Sequence, residues 1–187
     1  MQTNILWVGR QYYSLENCLV NIYPDRIEVS STILGYYQNE IYKVDYRIVA
    51  NLNWITMFIE IKWRLNEQIQ EVRLESDGVG NWIKNGNNAE QLKGCIDVDI
   101  SLSPFTNTLP IRRLHLKPGH TQEIAVVYCD FLNQQIKPVR QKYTRLSDKY
   151  YGYENVPNDF EAIIQVDESG IVVNYPSLFE RVAIRHL

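Results

Sequence analysis

Four charged residues of both signs gather in one otherwise apolar stretch: Asp97, Asp99, Arg112 and Arg113. Between them runs Ile100-Ser101-Leu102-Ser103-Pro104-Phe105-Thr106-Asn107-Thr108-Leu109-Pro110-Ile111, rich in hydroxyls and punctuated by two prolines and an asparagine. A guanidinium presents a planar fork that matches carboxylate or phosphate, so the two arginines suit an anionic head group. They equally suit an ion pair with Asp97 or Asp99 that braces the fold, because a buried arginine needs a carboxylate. The two aspartates are two residues apart and share one face of a strand. That face is either a solvated outer surface or a polar inner wall. Two carboxylates in such similar surroundings are poorly suited to divide the acid and base roles of glycoside cleavage.

Other catalytic signatures are weak. His115, His120 and His186 are scattered, and neither G-x-S-x-G nor H-E-x-x-H occurs. Gly78-Val79-Gly80 lacks the third glycine of a dinucleotide loop and reads as a hairpin turn. Cys95 as a nucleophile would need a base, and His115 is the one histidine in its region. The three cysteines, Cys18, Cys95 and Cys129, are widely spaced and odd in number, which predicts free thiols rather than a disulfide framework or a zinc site. No cofactor and no metal are expected.

The elements that must position these groups are strands. Tyr42, Val44, Tyr46 and Ile48 alternate with charged residues, as do Ile55, Met57, Ile59, Ile61 and Trp63, then Val72 and Leu74. Ile96, Val98 and Ile100 alternate with the two aspartates, and the habit continues through Ile124, Val126 and Tyr128 and through Phe160, Ala162, Ile164 and Val166. A period of two is the mark of half-buried strands. Turns fall at Asn51 to Asn53, Asp77-Gly78, Asn85 to Asn88, Pro118-Gly119 and Ser169-Gly170. Helical signals are confined to two short stretches. One lies near Thr106 to Leu114. The other runs from Ser177, an N-cap candidate after Pro176, through Phe179, Val182 and Ala183.

Composition sets the frame. The 187 residues are 45% hydrophobic and 22% charged, the balance of an ordinary globular chain with a sizeable core. The net charge of −3 gives no electrostatic footprint for nucleic acid. Thirteen tyrosines are the oddity. Each offers a large apolar ring with a polar tip, suited to strand faces and to pockets for ligands of mixed polarity. No basic, apolar leader opens the sequence, and the longest apolar-rich run, Trp54 to Ile61, is far short of the roughly 20 residues of a membrane helix. The expected location is the cytoplasm. A faint internal repeat sets Tyr46, Trp54, Asp77-Gly78 and Trp82 against Tyr143, Tyr153, Asp167 to Gly170 and Tyr175.

These residues also carry a resemblance. Gly94-Cys95-Ile96-Asp97-Val98-Asp99-Ile100-Ser101, followed by Pro104-Phe105-Thr106-Asn107-Thr108-Leu109-Pro110-Ile111-Arg112-Arg113-Leu114, resembles the central motif of the bacterial family named Putative glycolipid-binding. Arg140-Gln141-Lys142-Tyr143-Thr144 is similar to its R-Q-x-Y-T element. Asp159-Phe160-Glu161-Ala162, Val166-Asp167, Gly170-Ile171-Val172 and Asn174-Tyr175-Pro176 are similar to its closing segment, and Asp77-Gly78 with Trp82 to an upstream element. The resemblance implies a mainly antiparallel β structure like the curved, open barrels of periplasmic lipoprotein carriers. It implies no catalytic residues.

The sequence therefore predicts an all-β, mainly antiparallel chain: two curved half-sheets in an open barrel or clam-like sandwich, with one or two short helices. Residues 1–187 form a single domain whose halves meet near residue 92. The expected function is non-catalytic binding of a small amphipathic molecule, such as a glycolipid or acyl compound. Asp97, Asp99, Arg112 and Arg113 are expected at the polar end of the cleft, with Tyr143, Tyr153, Trp54 and Trp82 on its walls. The alternatives are an enzyme acting on a sugar or lipid, and a protein–protein interaction module.

Overall fold

A computed structural model describes residues 1–65 and 67–187. Its strands are β1 (Gln2–Gly9), β2 (Ser14–Ile22), β3 (Ile27–Tyr37), β4 (Glu40–Ala50), β5 (Thr56–Leu65), β6 (Gln68–Ser76), β7 (Trp82–Lys84) and β8 (Asn87–Asn88) in the first half. The second half contributes β9 (Asp97–Ile100), β10 (Thr121–Asp130), β11 (Gln135–Arg145), β12 (Tyr150–Val156), β13 (Glu161–Val166), β14 (Val172–Tyr175) and β15 (Phe179–His186). One short helix, α1 (Thr108–Leu114), follows a 3-10 turn at Pro104–Asn107.

All 15 strands belong to one sheet, in the order β8 through β1, then β15 back to β9. Strands β8 to β1 and β15 to β10 thus each form an antiparallel meander, and the two meanders are joined in the middle by antiparallel pairing of the terminal strands β1 and β15. The one parallel pair among the described residues is β9 beside β10, with Asp97 opposite Val126 and Asp99 opposite Tyr128. Open sheets beyond roughly 10 strands curl. This one curls without closing into a barrel. Inside the curl lies the chain from Cys95 to Ile111, and every residue from Leu102 to Ile111 is buried.

The wall of β9 and β10 divides the interior. Val98 and Ile100 of β9, with Val127 and Cys129 of β10, pack into a large core with β1 to β7. On the other face, Ile124 and Val126 of β10 join Tyr143, Tyr153, Ile164, Val172 and Phe179 in a second, smaller core. Alternation predicts this division: the apolar residues of β9 face one core and its aspartates the other.

Two sequence expectations change in detail. Ile55 and Met57 do not continue the inward series of Ile59, Ile61 and Trp63, because a bulge between Val49 and Ala50 slips the register and buries Thr56 instead. The stretch from Ser177 to Ala183 is not a helix. Ser177 takes a left-handed turn conformation, and the chain from Phe179 runs as β15. Its apolar spacing suits a helix, but β1 and β14 offer backbone partners on both sides, and those bonds outweigh a weak local preference.

The two Asp/Gly turns named in the suggested repeat share one hydrogen-bond pattern. Asp77 accepts backbone N–H bonds from Val79 (2.9 Å) and Asn81 (3.1 Å), and Asp167 accepts the equivalent pair from Ser169 (2.9 Å) and Ile171 (3.1 Å). Both loops place a positive-φ glycine, Gly80 or Gly170, at the fourth position. Asn51 builds the same loop with Asn53 and Ile55, with Trp54 in the left-handed position. The loop is therefore a local property of an Asx side chain, used at these three turns.

Candidate functional site

Three carboxylates are held within the curl, and each has different company. Asp97, fully buried on β9, meets the fork of Arg113 from α1. Nε donates to Oδ1 at 3.0 Å and Nη2 to Oδ2 at 2.6 Å. Burial pushes the Asp97 carboxyl up, and the guanidinium opposes that push. Glu16, on β2, is 2% exposed. Its Oε1 accepts from the hydroxyls of Tyr46 (2.7 Å), Ser31 (2.8 Å) and Ser103 (2.8 Å), and its Oε2 has no partner among the described residues. Burial outweighs these bonds and raises Glu16 to about 7.

Asp99 is the third. It accepts from Gln141 Nε2 at 2.6 Å and from the Thr106 hydroxyl at 3.1 Å, and has no cationic partner among the described residues. Burial pushes its carboxyl up. Unlike the other two, it is partly open, because it lines a cavity of about 490 Å³.

That cavity lies on the second-core side of the β9–β10 wall. Its floor comes from the central segment, through Asp99, Ser101, Ser103 and Asn107, and from Gln141 of β11. Its walls are aromatic: Tyr12, Tyr128, Tyr153, Phe160, Tyr175 and Phe179. The rings form a connected belt, with centroids 6.2 Å apart for Tyr12 and Phe179, 6.2 Å for Phe179 and Tyr175, and 6.0 Å for Tyr175 and Tyr153. Burial raises the phenols of Tyr12, Tyr128, Tyr153 and Tyr175, and the charge of Asp99 raises each further. These side chains therefore stay neutral at ordinary pH. The exposed Lys137, Arg140 and Asp159 also line the cavity and stand at its rim.

Of the eight residues singled out from the sequence, Asp99 and Tyr153 line this cavity. The other six surround the central segment. Asp97 and Arg113 form the buried pair. Arg112 lies over the Trp54 ring, 5.3 Å from its centre, and packs against Gly170, where a Cβ would sit 2.8 Å from its Cδ. Trp82 donates its indole N–H to the carbonyl of Cys95 at 2.8 Å. The Tyr143 hydroxyl donates to Asn107 at 2.8 Å from a fully buried position. Arg112 and Arg113 lie on α1 rather than on a strand, so their directions differ by helical spacing and not by opposite strand faces.

The reading by residue type missed Gln141, Tyr12, Tyr128, Tyr175, Phe160 and Phe179. Gln141 carried a usable signal: it shares the inward face of β11 with Tyr143, where a polar residue needs a reason. Tyr12 carried none, because it lies in the turn between β1 and β2 and is brought to the cavity only by the curl. Among the described residues no group of His, Cys, Asp and Glu is arranged to hold a metal ion, and no helix is long and apolar enough to cross a membrane. All three cysteines are free and buried.

Fold and cavity together define a protein with one long sheet wrapped around an internal segment, leaving a lined space on one side of it. The family described as Putative glycolipid-binding matches residues 4–181, and the chain belongs to that family. The crystal structure of a DUF1089 family protein from Pseudomonas aeruginosa is similar, with 33% sequence identity and a TM-score of 0.82. The similarity covers 89% of this chain and 92% of that one. No curated protein matches.

Proposed function

We propose that this protein binds a small amphipathic molecule in the cavity beside Asp99, without transforming it. One observation carries the reading: a single space joins a polar floor to a belt of aromatic walls. Few, fixed polar groups in an otherwise apolar concavity are what orient an amphipathic ligand. The volume of about 490 Å³ is within the usual range of small-molecule sites. The family description points the same way. Asp99 and Gln141 hold the polar end in this reading, and Tyr153, Tyr175 and Phe179 hold the apolar part. Asp97, Arg112, Arg113, Tyr143, Trp54 and Trp82 act one step away, by fixing the segment that forms the floor.

The test is native mass spectrometry of protein purified without detergent or organic solvent. The expected result is a discrete mass above that of the bare chain, absent from a Val139→Trp variant whose indole fills part of the cavity. A bare chain only, with no mass gained after exposure to a cell lipid extract, overturns the reading.

A further inference from the structure

The cavity has an electrical character that a merely amphipathic site does not need. Asp99 is an acid within a partly buried cavity and lacks a cation. The Tyr12 and Tyr128 phenols also feel the charge of Asp130. Lys137 and Arg140 are exposed at the rim, and Arg140 is engaged by Glu123. Asp99 is thus the charged group on the cavity floor, and the walls are aromatic rings, whose faces are electron-rich. Tyr12, Phe179, Tyr175, Tyr153 and Phe160 surround the space in a chain of contacts at 6.0 to 6.2 Å. Neither arginine of the central motif lines the cavity: Arg113 is taken by Asp97, and Arg112 lies over Trp54.

A carboxylate at the base of an aromatic cage is complementary to an ammonium group. The rings attract the cation through their quadrupoles, and the acid supplies the counter-charge. We infer that the polar end recognised here is a cationic ammonium, with Asp99 as its counter-ion and Tyr153, Tyr175 and Phe179 as its cage. This inference rests on the proposal that the cavity binds an amphipathic ligand, and specifies its head. An arriving cation would also offset, by its charge, the desolvation that pushes the Asp99 carboxyl up, drawing it into the ionised form.

Three probes with the same chain separate the possibilities: octyltrimethylammonium, octyl glucoside and octyl sulfate. Each is titrated calorimetrically into the whole protein below its critical micelle concentration. The ammonium should bind about 10-fold or more tightly than the glucoside, with the sulfate weakest. Asp99→Asn should remove most of that preference, lowering ammonium affinity about 10-fold or more and glucoside affinity by less. Phe179→Leu, which keeps an apolar wall but loses the ring face, should lower ammonium affinity more than glucoside affinity and covers the case in which Asp99→Asn does not fold. If the glucoside or sulfate binds as tightly as the ammonium, or if the preference survives both substitutions, the cationic assignment falls and the amphipathic reading stands. If none of the three probes binds, both fall.

Discussion

The two sides of the β9–β10 wall are built from neighbouring residues and reach opposite outcomes. Toward β1 to β7, Val98, Ile100, Val127 and Cys129 pack among buried apolar side chains such as Ile5, Trp7 and Trp63. Toward β11 to β15, Asp97, Asp99, Val126 and Tyr128 face rings and polar groups, and part of the space stays open. Within that second side the contrast sharpens. Asp97 and Asp99 are identical in type, two residues apart and on one face. Asp97 is sealed by an arginine, whereas Asp99 is met only by an amide and a hydroxyl and opens on a cavity. A charged residue of the motif can thus be sealed into the fold or left facing a cavity, and what decides is the partner that packing delivers.

The strongest way to break this comparison is to remove the partner that makes Asp97 structural. Arg113→Ala should destabilise the protein by about 3 kcal/mol, read from urea unfolding, because a fully buried carboxyl is left unpaired. The lower end of the expected range applies, because the Arg113 side chain is 18% exposed and water can partly replace it. A loss below about 1 kcal/mol would mean that Asp97 is not held by its arginine, and the distinction from Asp99 would dissolve.

The next effect comes from Glu16, a carboxyl sealed in without a cation. Its folded value of about 7 lies above the ordinary 4.5, so the native state holds the proton more tightly than the unfolded chain. The stabilisation is therefore complete below pH 4.5 and is lost as pH rises through about 7. At roughly 1.4 kcal/mol per tenfold change in proton concentration, the loss attributable to Glu16 is about 3 kcal/mol. Urea unfolding of the native sequence and of Glu16→Gln between pH 5 and 8 should give stabilities that diverge as pH rises, because the native sequence loses stability that the uncharged glutamine keeps. Parallel curves would show that Glu16 does not titrate in this interval.

The smallest effect compares two tyrosines that touch, Tyr143 and Tyr153, whose rings lie 5.4 Å apart. Tyr143 is sealed behind Asn107, and Tyr153 lines the cavity. Tyr143→Phe should cost about 1 kcal/mol in thermal or urea unfolding, through loss of its hydrogen bond to Asn107, and should leave ligand affinity unchanged. A change in affinity without a change in stability would move the site's boundary to include Tyr143.

Much of this was legible in the sequence because alternation is a local property of extended backbone. It sets Val98 and Ile100 against Asp97 and Asp99 whatever else the chain does, and it marks β4, β6 and β10 in the same way. The motif from Gly94 to Leu114 likewise marks the segment that matters, because its polar groups lie too close together among apolar residues to be incidental. Which aspartate would receive Arg113 was not legible, since that depends on how α1 lies across β9. Nor was the pairing of β1 with β15, which brings residues at opposite ends of the chain together and turns the suggested helix after Ser177 into a strand. The cavity belongs to the same class. Tyr12, Asp99, Gln141 and Tyr175 come from four distant parts of the chain and meet only when the sheet curls around its internal segment. Local spacing determines which way a side chain faces, whereas its neighbours across the interior are set by strand order and curvature, and those are properties of the whole sheet.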